Sequence, residues 1–306
     1  MQLDQLRAVV MIAETGSFRQ AAIRLRRSQP ALTKAIKLLE GHVNVSIFQR
    51  TPRGVRLTEV GEHLYLRAKS ILSEVQMMED EAAQLGGHKG GFVRIGTSPV
   101  GGTSILPQAI RQFRRTWPDV EIEILNSLYP QSFNLLREAS LDMVVGPISQ
   151  IEPHGSISIE TYYEMDSIIA AHRDNPRKGA TSIREIINEN WVLLGPTEGP
   201  SGLFAGMLLE QSISLPKVVT RCHSLSGTLA LIAATNAFCI LSKELFNYAA
   251  ARHDLVAIKV TEELPRFKLA LATYKGRPLT PAAADLAKHI HRRMTTLARE
   301  TSRKET

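Results

Sequence analysis

The chain has 306 residues, of which 43% are hydrophobic and 22% charged, and its net charge is +7. This length and composition predict a folded protein of two or three domains and exclude a disordered or fibrous chain. No apolar run approaches the ~18 residues that span a bilayer, and charged residues surround the short apolar stretch near the N-terminus, so neither membrane insertion nor secretion is expected. Cys222 and Cys239 are the only cysteines, too few for a disulfide framework or a four-cysteine zinc site, which favours a cytoplasmic location.

The positive charge is concentrated at the N-terminus. Residues 1–57 contain ten Lys or Arg and three Asp or Glu, whereas residues 58–306 contain 27 of each sign. Because attraction to phosphates is local and screened by salt, a compact basic head on a neutral body indicates a polyanion-binding domain. The alternative is an ordinary solvated basic surface.

Two short helices are predicted within this head. Ser17 and Ser28 have the residue type of helix N-caps, and the second helix covers residues 29–40, with Pro30 in its first turn. A short turn between two such helices is typical of a helix-turn-helix. Apolar residues available for its core are Ala31, Leu32, Ala35, Ile36, Leu38 and Leu39, whereas the row with the chemistry for base edges and phosphates is Gln29, Thr33, Lys34 and Lys37.

A basic wing is predicted after the second helix. Residues 48–57 form two short extended segments around a Pro-Arg-Gly turn and present Arg50, Arg53 and Arg56. Such a wing would contact the minor groove or flanking phosphates. Arg26 and Arg27 occupy the turn between the helices, where a glycine and an apolar residue are usual, and we expect them to contact the DNA backbone.

The run GSFRQAAIRLRRSQPALTKAIKLLE at residues 16–40, followed by FQRT at 48–51 and LTEVG at 57–61, closely resembles the DNA-binding domain of LysR-type transcriptional regulators. The resemblance implies that Gln29, Pro30, Thr33 and Lys34 enter the major groove and that Arg53 serves the wing. The family commonly has Ser where Thr33 stands. The full set of expected DNA-binding residues is Ser17, Arg27, Ser28, Gln29, Pro30, Thr33, Lys34, Lys37, Arg50 and Arg53.

A long helix is predicted to follow the head. Residues 57–85 contain no proline, and small or apolar residues recur in steps of four and three, the pattern of a coiled-coil seam. The resemblance implies an antiparallel dimer through this linker helix and a homotetramer in the full assembly, although the stripe could instead pack against the chain's own sensor domain. The expected dimerisation residues are Leu64, Ala68, Ile71, Val75, Met78 and Ala82.

The remainder of the chain alternates between strands and helices beyond a glycine-rich linker at residues 86–91, which predicts parallel pairing in an α/β fold. We therefore expect an α/β protein overall: an all-α winged helix-turn-helix at 1–58, a linker helix at 59–86 and an effector domain at 87–306. The resemblance implies two lobes similar to periplasmic binding proteins, lobe I at about 91–162 and 268–300 and lobe II at about 163–267, with the last helix packed on lobe I.

The resemblance also places an effector site in the cleft between the lobes. Ser98 precedes a predicted helix, whose N-terminus favours an anion, so we expect a small organic acid as the effector and no cofactor or metal. Each polar residue could equally be a helix cap or a loop residue, and no arginine is assigned to the cleft. The candidate effector residues are Ser98, Val100, Tyr129 and Pro147 from lobe I and Thr197, Ser201 and His223 from lobe II.

Catalytic motifs are weak, so the chain is not expected to be an enzyme. Ser214 and Lys217 match SxxK only in spacing, since Pro216 breaks the helix that would align them, and His289 and His291 point to different faces of a predicted helix.

The sequence therefore predicts an effector-responsive, DNA-binding transcriptional regulator. Its expected partners are double-stranded DNA, the small-molecule effector and further copies of itself, with RNA polymerase as a candidate and no membrane. The alternative is a small-molecule binding or transport-type protein whose N-terminal segment is only an assembly module. Some family members sense peroxide through a disulfide, but Cys239 lies in an apolar run and an inert role is the default for both cysteines.

Overall fold

The computed structural model describes residues 1–52, 54–127, 129–148, 155–197 and 199–302. The chain divides into two compact units: residues 1–86 together with the short segment 137–140, and the rest. The first unit contains, in chain order, α1 (Leu3–Thr15), α2 (Phe18–Arg24), α3 (Gln29–Val43), β1 (Phe48–Thr51), β2 (Gly54–Leu57) and α4 (Glu59–Leu85).

The helices of the head begin where the sequence predicts. The Ser17 hydroxyl accepts a hydrogen bond from the backbone N–H of Gln20, and the Ser28 hydroxyl accepts one from Ala31. The predicted core stripe of α3 is confirmed at Leu32, Ile36 and Leu39. It is wrong at Ala31 and at Leu38, which is 58% exposed, because this short helix buries only a narrow stripe against α1 and α2.

The predicted wing is present as an antiparallel hairpin in which Arg50 pairs with Val55. It is anchored to the helices because the Val55 N–H donates to the carbonyl oxygen of Gly16. A Cβ atom at Gly54 would lie 2.7 Å from that same carbonyl oxygen, so the close approach requires a glycine there.

The second unit contains the two α/β lobes. Its elements are β3 (Gly90–Thr97), a π-helical turn (Gly101–Ile105), α5 (Leu106–Phe113), β4 (Asp119–Asn126), α6 (Gln131–Arg137), β5 (Met143–Pro147), β6 (Ile157–Met165), β7 (Ser167–His172), α7 (Ile183–Ile186), β8 (Asn190–Leu194), α8 (Pro200–Glu210), β9 (Val218–Cys222), α9 (Leu225–Thr235), β10 (Cys239–Ser242), α10 (Lys243–Ala249), β11 (Leu255–Ile258), β12 (Phe267–Tyr274) and α11 (Pro281–Ser302). Lobe I has a sheet in the order β4-β3-β5-β12-β6. Lobe II has the groups β10-β7-β11 and β8-β9, connected by a bridge between Trp191 and Phe238.

The expectation of parallel pairing is only partly correct. β3 pairs in parallel with β4 and β5, and β8 pairs in parallel with β9. However, β12 pairs antiparallel with β5 and β6, and β7 pairs antiparallel with β10 and β11. These antiparallel strands arise because the chain crosses between the lobes and re-enters each sheet from the other end.

Two predicted boundaries also differ. The crossing into lobe II, expected after about residue 162, occurs at Asp166, since β6 remains paired with β12 as far as Met165 and β7 begins lobe II at Ser167. The last two glycines of the predicted linker belong to β3, where Gly90 pairs with Asp119 and Gly91 with Val120. The predicted docking of the last helix is confirmed, because α11 packs against α5 of lobe I.

Candidate DNA-binding surface and effector site

One face of the head brings together the predicted major-groove residues. The side chains of Gln29, Pro30, Lys34 and Lys37 are exposed on α3, and Thr33 lies half-buried among them. The first turn of α3 begins at the Ser28 cap, so its N-terminal residues project from the end of the helix. The surface formed by Gln29, Pro30, Thr33, Lys34 and Lys37, with Leu38 at its far end, is called the recognition face below.

Other predicted DNA-binding residues have different local roles. The Ser17 and Ser28 hydroxyls cap helices, which commits a lone pair of each oxygen to a backbone N–H. Arg27 Nη2 lies 2.6 Å from Asp4 Oδ2, so its guanidinium is shared with an exposed carboxylate of α1. Arg50 is exposed on β1, and Arg53 lies outside the described residues.

Two residues beside the recognition face were not predicted from the sequence. Arg19 and Gln49 line a groove between α3 and the wing, together with Gln29, Lys37 and Arg50. The only local signal for Arg19 was its position two residues after the Ser17 cap, at the start of a short helix. Its proximity to the wing depends on the way β1 and β2 fold back onto α2.

In the single chain, burial divides the predicted seam of α4 into two parts. Ala68 is buried, and Leu64 packs on the core of the head. Farther along, Ile71, Met78 and Ala82 are exposed, and Val75 is half-buried. In a single chain, the apolar side chains of this second half of the seam are therefore exposed to water.

A cavity of about 40 Å³ lies between the two lobes of the effector domain. Lobe I contributes Ser98, Val100, Pro147 and Phe267, and lobe II contributes residues that include Ser201. The remaining lining residues are Pro99, Leu194, Ile240, Leu241, Ser242 and Leu245. The structure therefore brings together four predicted effector residues, Ser98, Val100, Pro147 and Ser201.

Ser98, Ser201 and Ser242 are the residues with polar side chains among those that line this cavity. Ser98 Oγ accepts a hydrogen bond from the Gly101 N–H at 3.3 Å, and Ser242 Oγ accepts one from the Leu245 N–H at 3.3 Å. Each of these two hydroxyls is an acceptor in its bond, so its own proton remains available as a donor. Ser201 differs because its Oγ donates to the Pro196 carbonyl at 2.6 Å.

Arg221 supports Ser201 but is not among the residues that line the cavity, so the absence of an arginine from the cleft stays a prediction. Arg221 Nη1 donates to Ser201 Oγ at 3.1 Å and to the Gly195 carbonyl at 3.2 Å. Neither Ser242 nor Arg221 was identified from the sequence, because each reaches this region through the packing of strands β9 and β10.

The other three predicted effector residues do not line the cavity. Tyr129 packs edge-to-face on Phe133, with 5.2 Å between ring centroids. Thr197 is exposed in the segment before α8, and its backbone carbonyl oxygen lies close to Gly202. His223 contributes a backbone carbonyl that accepts a 3.1 Å hydrogen bond from Asn126 Nδ2, which connects the two lobes.

The two cysteines are unpaired and lie on different strands. Cys239 is fully buried, and burial followed by the influence of Cys222 raises the pKa of its thiol to about 12. Cys222 is half-buried at the end of β9, and its Sγ donates to the Ser224 carbonyl at 3.4 Å. Among the described residues, no three His, Cys, Asp or Glu side chains are grouped as metal ligands, and no helix is long and apolar enough to cross a bilayer.

Comparison with known proteins identifies both units. Residues 3–62 match the model of the bacterial regulatory helix-turn-helix protein, lysR family, and residues 86–295 match the LysR substrate binding domain. Among curated proteins, the chain is 28% identical over 258 residues to the HTH-type transcriptional regulator GbpR of Rhizobium radiobacter, covering 82% of this chain and 84% of that protein. It is 26% identical to the DNA-binding transcriptional dual regulator OxyR of Escherichia coli over 296 residues, 96% of each chain.

The fold is also shared with a solved protein–DNA complex. The crystal structure of full-length CbnR with its target DNA superposes with a TM-score of 0.71 at 21% identity, covering 96% of this chain and all of that one. Together, the two family models span the head and the effector domain. The chain is a member of the LysR family of DNA-binding transcriptional regulators, with an N-terminal helix-turn-helix and a C-terminal effector-binding domain.

Proposed function

We propose that the recognition face reads operator DNA in the major groove while Arg50 and Arg53 of the wing contact the phosphates beside it. The observation that carries this proposal is the concentration of the whole net charge of +7 in residues 1–57, the part of the chain that contains this face. Gln29 has an amide that can pair with both polar atoms of an adenine edge, and Lys34 and Lys37 can reach guanine or phosphate oxygens. Ser17 and Ser28 support the reading helices by capping them.

Selection from a random duplex library with the full-length protein would provide the operator. Arg50→Ala should then weaken binding to all sequences and reduce the salt dependence by about one phosphate contact, whereas Gln29→Ala should mainly relax preference at one base pair. Fluorescence anisotropy over a salt series measures both effects. Binding that does not change with salt would contradict the proposal.

We further infer that the effector is a small organic anion bound in the cavity between the lobes. Ser98 and Ser242 each have a hydroxyl proton to donate, and Ser98 and Ser201 lie at the starts of helical segments, where backbone N–H groups favour negative charge. Arg221 adds a positive charge one hydrogen bond behind Ser201. The surrounding Val100, Leu194, Leu245 and Phe267 side chains suit a compact apolar body rather than a sugar.

Calorimetry with a panel of small carboxylates and sulfonates tests this inference. Ser98→Ala and Ser242→Ala should each weaken binding by about 1–3 kcal/mol, because each would remove a donor from a site that excludes water. Ser201→Ala is a matched comparison, since its proton is already used by Pro196, and a smaller loss is expected. Binding of a neutral sugar or a cation, with both donor variants unchanged, would contradict the anionic effector.

The proposed mechanism is allosteric and non-catalytic. An effector in the cavity would favour one closure of the lobes, and closure would change the spacing of the heads in a dimer or tetramer on DNA. We propose that the effector is released without chemical change. We also propose that RNA polymerase is the downstream partner and that the protein acts in the cytoplasm, where its DNA is. Recovery of an altered effector after incubation would contradict the non-catalytic role.

The positions of the two cysteines argue against thiol sensing through a disulfide between them, although OxyR is among the relatives. Leu194 of β8 pairs with Cys222 of β9, and Trp191 of β8 bridges to Phe238, the neighbour of Cys239. The two cysteines therefore lie on opposite sides of β8, about two strand spacings or ~9–10 Å apart, whereas a disulfide requires Cα atoms within ~7 Å.

A further inference from the structure

Thr33 makes an internal hydrogen bond that limits what it can offer to DNA. Its Oγ1 donates to the carbonyl oxygen of Gln29, four residues earlier in α3, at 3.0 Å. A threonine hydroxyl has a single proton, so this bond uses its only donor. The side chain retains the lone pairs of the hydroxyl oxygen and its methyl group.

The edges of bases in the major groove are rich in acceptors. N7 and O6 of guanine, N7 of adenine and O4 of thymine all require a donor from the protein. Thr33 could supply one only by breaking its bond to Gln29. Its methyl group is not restricted in this way, and thymine is the base that presents a methyl group in this groove.

We propose that Thr33 is a specificity-determining residue that recognises a thymine in each operator half-site by contact between its methyl group and the thymine C5-methyl. The inference rests on the proposed reading of DNA by the recognition face. Thr33 lies one helical turn from Gln29 on that face, with the apolar ring of Pro30 also in the first turn. Gln29 and Thr33 would thus read neighbouring positions, the first by hydrogen bonds between its side-chain amide and an adenine and the second through its methyl group.

A pair of nearly isosteric variants separates the methyl group from the hydroxyl. Thr33→Ser keeps the hydroxyl and removes the methyl group, whereas Thr33→Val keeps a methyl group and removes the hydroxyl. The matching change in DNA is replacement of thymine by deoxyuridine, which lacks only the C5-methyl. Because the family commonly has serine at this position, the serine variant is expected to fold, and circular dichroism and a thermal melt would verify both variants.

The test uses full-length protein and an operator selected from random duplexes, with each thymine replaced in turn. For one thymine position in each half-site, replacement by deoxyuridine should weaken binding of both the wild type and Thr33→Val. The loss should be about fourfold when one half-site is changed and about fifteenfold when both are changed. Thr33→Ser should bind the thymine operator about fourfold more weakly per half-site and should not respond to deoxyuridine at that position.

Three results would overturn the inference. In the first, deoxyuridine weakens binding of Thr33→Ser as much as it weakens binding of the wild type. In the second, the wild type is insensitive to every thymine replacement. In the third, Thr33→Val loses affinity for the operator while Thr33→Ser retains it, which would assign recognition to the hydroxyl. These results differ from failure of the proposed function, in which the wild type would select no duplex, or in which Gln29→Ala would leave base preference unchanged.

Discussion

We expect the chain to dimerise through the second half of α4. The exposure of the seam residues in a single chain gives the expected effect of substituting them. Ala68 of the seam is already buried, so changing it would disturb the monomer as well. Ile71 and Met78 are seven residues apart on the same stripe and are 42% and 64% exposed. These two side chains therefore report on association rather than on folding.

The expected effect follows from the area that a partner would cover. Complete burial of an isoleucine or methionine side chain is worth about 1.5–3 kcal/mol, so covering the exposed parts of Ile71 and Met78 in both copies contributes about 3 kcal/mol or more. The double variant Ile71→Ala, Met78→Ala should raise the dimer dissociation constant by roughly two orders of magnitude. Met78→Asp should act more strongly, because an unpaired carboxylate would be buried in the seam.

Sedimentation velocity over a concentration series would measure this association. Leu66→Asp is the matched control, since Leu66 is also 42% exposed on α4 but lies outside the seam. Affinity for the operator should fall in parallel with loss of the dimer. The reasoning is refuted if Met78→Asp and the control show the same mass at every concentration while both remain folded.

Three further outcomes are expected. In Gly146→Ala, the added Cβ would lie 2.6 Å from Ser98 Oγ, so calorimetry should show weaker effector binding while operator affinity without effector stays unchanged. Cys222→Ser should bind the operator as the wild type does, with or without peroxide, in anisotropy; a peroxide response that disappears in the variant would establish thiol sensing. Burial tends to raise the pKa of Glu262, but hydrogen bonds from Ser182 and the Ile183 N–H outweigh it and lower the pKa. The ionised Glu262 carboxylate therefore stabilises the folded state above its unfolded pKa of about 4.3, and this contribution is lost as pH falls through the lower pKa of the folded state. Glu262→Gln should reduce the melting temperature near pH 7 but not at a pH below the folded pKa.

The sequence determined the helices of the head and the type of fold that contains them. Ser17 and Ser28 act on backbone N–H groups within three residues, and the apolar spacing of α3 is a property of that helix alone. Such local signals require no knowledge of the rest of the chain. The alternation of strands and helices likewise indicated an α/β effector domain.

The tertiary structure decided which side chains meet. The sequence predicted the same DNA-contacting role for Thr33 and Arg27. In the structure, Thr33 donates a hydrogen bond within its own helix, whereas Arg27 bonds to Asp4 of α1. Ser242 lines the cavity between the lobes through β10, and Arg221 of β9 bonds to Ser201 beside it, whereas Tyr129 packs on Phe133 instead. The contacts of Arg27 with Asp4 and of Arg221 with Ser201 follow from no local pattern, because they join residues far apart in sequence. For Arg221 and Ser242, the pairing of strands determines which distant residues become their neighbours.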